Sequence, residues 1–180
     1  MKKDIQKEIE IPEGVEVRID GTTIHVKGKE GETNRAFKTA SIKFLKKDNL
    51  IVLENKKATK TEKKLMHTFA AHIANMIKGV QEKFKYKLKI CFNHFPMTAE
   101  IKGKEVIIKN FLGEKVPRKA KILEDVEVNI NGTNITVISN QLEKAGQVAA
   151  NLERATLIRK RDRRVFQDGI FMTHKPGREI

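Results

Sequence analysis

The sequence predicts an α+β protein of two tandem duplicated domains, residues 1–82 and 83–180, each an antiparallel sheet with one helix packed on one face. Three observations carry that expectation. Turn signals at Asp20-Gly21, Asp48-Asn49, Gly103 and Asn131-Gly132 are each flanked by alternating apolar and polar residues, as β-hairpins require. A long helical pattern follows the second turn and another follows the fourth, so each half reads hairpin, hairpin, helix. The halves also align in order. Gly21-Thr-Thr-Ile24-His-Val26-Lys27 matches Gly103-Lys-Glu-Val106-Ile-Ile108-Lys109, Gly31-Glu32 matches Gly113-Glu114, and Leu50-Ile51-Val52-Leu53 matches Asn134-Ile135-Thr136-Val137. The nearly constant offset argues for a duplicated unit of about eighty residues.

In the first half the hairpins precede a helix expected over residues 59–79. There Leu65, Phe69, Ile73, Met76 and Val80 recur at helical spacing as one apolar stripe, with Lys60, Lys63, Lys64 and Lys78 mostly off it. Residues 83–92 then alternate strictly. Phe84, Tyr86, Leu88, Ile90 and Phe92 point one way and Lys83, Lys85, Lys87, Lys89 and Cys91 the other, which predicts a half-buried strand. The lysine side is either the solvated face of an edge guarded against aggregation or a face that meets RNA. Two further hairpins lead to a helix over 141–157 with Leu142, Ala145, Val148, Ala149, Leu152 and Ala155 on its apolar side. Gly146 inside it costs about 1 kcal/mol relative to alanine. So many small residues predict a helix lying close against a sheet.

Lys and Arg outnumber Asp and Glu by 37 to 23, a formal charge of +14 with a pI near 9.9, which points to a polyanionic partner. No apolar run approaches the roughly 18 residues of a spanning helix, and no apolar stretch follows Met1-Lys-Lys-Asp-Ile5 to make a signal peptide. No membrane partner is expected. One cysteine, Cys91, excludes an intramolecular disulfide and fits a reducing cytosol.

Enzyme chemistry finds little support. His67 and His72 lie five apart, off the i,i+4 spacing, and His25, His94 and His174 are scattered, so no metal site is expected. Cys91 has no histidine nearby in sequence to activate it. Gly28-Lys-Glu-Gly31 and Gly169-Ile-Phe171 lack the helix-opening pattern of a phosphate loop, and no carboxylate pair stands out. No catalytic residue, cofactor or small-molecule substrate is expected.

The basic residues come in blocks. Lys56-Lys57, Lys60 and Lys63-Lys64 crowd the start of the first helix, against its dipole. Lys115, Arg118, Lys119 and Lys121 follow Asn110-Phe-Leu-Gly113, whose Phe111 either packs into an RNA groove or folds back onto its own domain. The densest block is Arg159-Lys-Arg-Asp-Arg-Arg164, followed at once by Val165-Phe-Gln-Asp-Gly-Ile-Phe171. A disordered basic tail needs no apolar anchor. The block therefore predicts a folded segment that fixes guanidinium groups for phosphates, which take Arg forks bidentately and release counterions when neutralised. Cations on several elements fit shape-driven recognition of folded RNA better than a base-reading helix in DNA.

The stretch from Ile158 to Lys175 resembles the C-terminal signature of the archaeal and eukaryotic branch of the large-subunit ribosomal protein family called L-six. That signature is a cation, then Arg-x-Phe-x-Asp-Gly, an aliphatic residue, an aromatic one and a terminal Lys or Arg, met here by Arg164-Val-Phe166-Gln-Asp168-Gly169-Ile-Phe171 and Lys175. Arg154 stands where the pattern has an upstream glutamine. Ile11-Pro-Glu-Gly-Val15, Asn75-Met-Ile-Lys-Gly-Val80, Tyr86-Lys-Leu-Lys-Ile90 with Asn93-His-Phe-Pro96, and Gly146-Gln-Val-Ala-Ala150 are also similar to the family, so the likeness covers nearly the whole chain.

The resemblance implies a cytoplasmic, non-catalytic protein of the large ribosomal subunit. It implies binding to large-subunit rRNA near the sarcin–ricin loop and stalk base, beside other ribosomal proteins and near the site of translational GTPases. Arg159, Lys160, Arg161, Arg163 and Arg164 would face RNA, with Lys175 and Arg178 extending the set along the tail. Phe166, Ile170 and Phe171 would be anchors and Asp168-Gly169 a turn. Arg154, Gly169 and His174, with Phe111, Lys115, Arg118 and Lys119 of the second cluster, complete the expected rRNA-contacting set. The alternative is a free-standing RNA-binding regulator or assembly factor. A metal-dependent nuclease would need a carboxylate cluster that the sequence does not nominate.

Overall fold

The computed structural model describes residues 3–39 and 41–180, and the chain divides into two compact units, one ending at Lys83 and the other beginning at Phe84. The first contains β1 (Lys3–Glu10), β2 (Glu16–Asp20), β3 (Thr23–Gly28), β4 (Gly31–Ala36), β5 (Lys43–Lys47), β6 (Leu50–Ala58) and α1 (Lys60–Gln81). The second contains β7 (Phe84–Cys91), β8 (Thr98–Lys102), β9 (Glu105–Lys109), a 3-10 turn (Phe111–Gly113), β10 (Arg118–Lys121), β11 (Glu127–Asn131), β12 (Asn134–Ser139), α2 (Leu142–Ala155), β13 (Gly169–Lys175) and β14 (Arg178–Glu179).

The α+β class and the duplication are as the sequence predicts, but each unit carries two antiparallel sheets. In the first unit these are β2-β3-β4 and β1-β6-β5; in the second, β10-β9-β8 and β11-β12-β7-β13-β14. Three of the predicted hairpins gain a third strand, and the β11-β12 hairpin gains three more. β1, which the side-chain pattern does not predict, pairs with β6 as β7 pairs with β12. Its sequence KDIQKEIE supplies only two apolar residues, Ile5 and Ile9, both half-buried against the core.

All four turn signals close two-residue loops, between the pairs Asp20↔Thr23, Lys47↔Leu50, Lys102↔Glu105 and Asn131↔Asn134. The matched glycines Gly21 and Gly103 have φ of 62° and 61°, a left-handed conformation that a Cβ disfavours and that suits the twist of a tight hairpin. The aligned residues Ile24, Val26, Ile51 and Leu53, and their counterparts Val106, Ile108, Ile135 and Val137, are all 0% exposed. Each such side chain stabilises its unit by about 1.5–3 kcal/mol. The repeat is the shared core.

α1 starts at a Thr59 cap, where the Glu62 carboxylate accepts the Thr59 backbone N–H at 2.8 Å. Its buried face is Met66, Phe69, Ala70, Ile73, Met76, Ile77 and Val80, and Phe69 meets Phe37 with ring centroids 4.9 Å apart. Leu65, assigned to the stripe from spacing, is exposed; Met66 occupies that level because the core-facing arc is centred one residue further on. α2 buries Ala145, Val148, Ala149 and Leu152. A Cβ at Gly146 would sit 3.1 Å from the Tyr86 hydroxyl oxygen of β7, so the helix does lie close on the sheet and glycine is what permits it.

β7 has the predicted alternation, with Tyr86, Leu88 and Ile90 buried and Lys85, Lys87 and Lys89 exposed. It is not an edge, however. β12 and β13 flank it, so its lysines run down the middle of an open sheet face. Phe92 lies past the strand and is exposed.

Candidate nucleic-acid interface

The arginine block belongs to the loop that carries the chain from α2 to β13, and both ends of that loop are clamped. At the helix end Thr156, 4% exposed, donates its hydroxyl to the Glu153 carbonyl at 3.2 Å and accepts the Ile170 N–H at 2.9 Å. The Glu153 carboxylate accepts the Met172 N–H at 2.8 Å. At the strand end Asp168, 2% exposed, accepts the backbone N–H of Asn93 at 2.7 Å and of His94 at 3.0 Å, and its second oxygen meets His94 Nδ1 at 2.6 Å. Burial pushes the Asp168 carboxyl upward. The two backbone donors and the imidazole outweigh it and hold the group at about 2.

His94 in turn supports the loop. Its ring stacks on Phe166 at 4.7 Å, and the Arg161 guanidinium lies 4.7 Å from the Phe166 centroid. Between these points the backbone turns tightly. Asp162 accepts the Arg164 N–H through its side chain at 2.9 Å, and its carbonyl accepts Val165 and Phe166 N–H groups at 3.2 and 3.0 Å. Arg159, Lys160, Arg161, Arg163 and Arg164 all stand exposed on this braced turn.

The other expected contact residues divide by what surrounds them. Arg154 is exposed in the last turn of α2. Lys175 and Arg178 pair across the β13–β14 hairpin, so the predicted tail is an ordered ribbon at the edge of the large sheet. His174 is half-buried opposite Lys87, and its Nδ1 is buried without a partner. Lys115 is exposed, and Lys119 is exposed 3.3 Å from Glu105.

Phe111 is a correction. It is 1% exposed within the second core, so its ring folds back onto its own domain and leaves nothing for RNA. Arg118 is another. Its guanidinium donates to both Glu114 oxygens at 2.8 and 2.6 Å and to the carbonyls of Ala155 at 2.9 Å and Leu157 at 3.3 Å, and it lies 4.2 Å from the Phe111 centroid. Most of its donors are spent inside the protein, fastening the start of β10 to the end of α2. The Arg118 hydrogen bonds, with the nearby charges of Arg118 and Arg161, hold the Glu114 carboxyl below its usual range against a smaller burial effect. The second basic cluster thus lies beside the arginine loop.

Asp168-Gly169 is not a turn. Gly169 opens β13 opposite Cys91 with a positive φ of 159°, a conformation that side chains rarely adopt. Phe171, read as an anchor, is 41% exposed and faces outward beside Lys89; Ile170, 1% exposed, is the anchor. His94 has no signal of its own in the sequence, because its partner lies 74 positions away.

Among the described residues no group of three or more His, Cys, Asp or Glu is placed to hold a metal ion, and no helix is long and apolar enough to cross a membrane. A duplicated α+β scaffold that presents cations on a clamped loop defines a binding protein for polyanions. The chain belongs to the family described as Ribosomal protein L6, whose model matches residues 11–83 and again 95–169, once on each repeat. It is 46% identical to the large ribosomal subunit protein uL6 of Methanobrevibacter smithii over 95% of this chain and 96% of that one. Identity to the proteins of the same name from Sulfurisphaera tokodaii and Methanococcus vannielii is 45% and 43%, over 95% and 98% of this chain and 92% and 97% of theirs. The family is structural and non-enzymatic.

Proposed function

We propose that this protein is a structural constituent of the cytoplasmic large ribosomal subunit. It binds large-subunit rRNA through the second unit, near the sarcin–ricin loop and the stalk base, and supports the site where translational GTPases act. Neighbouring ribosomal proteins are its other partners. The observation that carries the reading is the arginine loop: five exposed cations on a turn held by Thr156 at one end and Asp168 at the other. Ordering the loop before RNA arrives lowers the entropic cost of binding, and each phosphate neutralised adds counterion release. Arg154, Lys115, Lys119, Lys175 and Arg178 enlarge the cationic surface. Arg118 serves it by position.

The test is sedimentation followed by footprinting. The protein should stay with large subunits through high salt and protect rRNA at the sarcin–ricin loop and stalk base. Release at moderate salt would favour a free regulator or assembly factor. Retention with protection elsewhere would keep the subunit assignment and remove the placement.

A further inference from the structure

Beneath the arginine loop lies a cleft of about 640 Å³, open to solvent on one side. That volume falls within the about 300–1,000 Å³ typical of sites that enclose a small organic group. Leu157, Ile158, Phe166, Ile170 and Phe171 give it an apolar side, and Thr156 and Gln167 add polar lining. Of these, Leu157 and Phe171 are 43% and 41% exposed, so part of the apolar lining is open to solvent. Arg154 and Arg163 also line the cleft and are exposed. The carboxylates that reach it, Glu153 and Asp168, already accept backbone N–H groups. The combination of an apolar, partly aromatic slot with free guanidinium groups matches a flat ring joined to a phosphate.

We propose that this cleft receives one unstacked nucleotide of the bound RNA, its base between the apolar walls and its phosphate against Arg154 or Arg163. The inference rests on the RNA-binding reading above and adds a base-accepting subsite to it. Folded RNA exposes such bases in loops and bulges, where aromatic side chains receive them.

Cys91 lines the cleft, is partly exposed, and is the chain's single cysteine, so it reports on the cleft alone. The experiment measures alkylation of Cys91 by iodoacetamide in the full-length protein. It is run free, with a large-subunit rRNA transcript at about ten times its Kd, and with heparin, a polyanion that has no bases. Alkylation should slow about tenfold with the transcript, in proportion to the free fraction, and stay near the free rate with heparin. A transcript carrying 4-thiouridine should photocrosslink to the peptide containing Cys91 or to residues 166–171. Equal protection by heparin, crosslinks confined to residues 159–164, or protection that appears only when other proteins are added would overturn the subsite. Full-affinity transcript binding with an unchanged Cys91 rate would overturn it while leaving the RNA-binding reading intact. Failure of the transcript to bind would remove both.

Discussion

Asp168 and His94 lie 74 positions apart and meet at 2.6 Å, the buried carboxylate holding imidazole Nδ1 while two backbone N–H groups hold the carboxylate. The contact ties the end of the arginine loop to the segment that follows β7. Phe166 and Arg161 stack outward from it.

Asp168→Asn should weaken RNA binding even though it raises the net charge by one. Electrostatics alone predicts tighter binding, so the sign separates the two effects. Loss of hydrogen bonds to a charged, buried acceptor should also cost about 1.5–3 kcal/mol of stability. Filter binding and urea melts at pH 7 measure both. A variant that binds RNA more tightly would remove the bracing role.

The pH dependence follows from the same group. Its carboxyl is lowered from 3.8 to about 2 in the folded protein, so it contributes stability above pH 4 that is lost as pH falls toward 2. The contribution is about 2 kcal/mol at neutral pH. Urea melts of wild type and Asp168→Asn between pH 6 and pH 2 should therefore converge at the acid end. A constant gap would contradict the assignment.

Replacing Arg159, Arg161, Arg163 and Arg164 with Gln should flatten the salt dependence of RNA binding. If three or four of these side chains meet phosphates, the slope of log K against log salt becomes shallower by roughly 2 to 4. Stability should fall by only about 0.5–1 kcal/mol, the Arg161–Phe166 contact being the main loss. Titrations at several salt concentrations measure the slope, and an unchanged slope in a folded protein would take away the residues that carry the proposed function.

Arg118→Lys should do the reverse. It keeps the charge but loses the fork onto Glu114 and reach to the Ala155 and Leu157 carbonyls, so stability should drop by about 1–3 kcal/mol. The salt slope should be unchanged. Lys119→Gln, at an exposed site, should leave stability within about 0.5 kcal/mol. A weaker RNA affinity for the Arg118 variant, with its melting temperature intact, would return Arg118 to the RNA face.

Gly169→Val should strain the loop anchor twice, by crowding and by a positive φ of 159° that side chains rarely adopt. A Cβ there would lie 3.2 Å from the Phe171 ring and 3.4 Å from the Thr156 hydroxyl. Overpacking of this kind costs about 1–3 kcal/mol. Gly169→Ala should cost less, because it adds only the Cβ, and thermal melts of the pair would show the order.

The repeated halves, the four hairpins, both helices and the alternation of β7 were legible in the sequence. Their causes act over a few residues: side-chain period and turn chemistry. β1 was missed because two isoleucines among charges make too weak a pattern, and it becomes a strand only when β6 offers a partner. Leu65 was misplaced for a related reason, since periodicity finds a stripe but only the facing core fixes its centre.

By itself the sequence determined that this is a duplicated α+β chain with an excess of cations concentrated before a short apolar segment, and it carried the family resemblance. Only the tertiary structure decided which cations are available. Arg118 and Arg163 look alike along the chain, yet one spends its donors on carbonyls up to 39 positions away and the other stands exposed beside a cleft. It also decided that Phe111 is core, that Asp168 is a buried clamp, and that β7 is central. Those outcomes depend on which distant backbone donors, carbonyls and rings each group meets, and folding sets that by burying two separate cores at once.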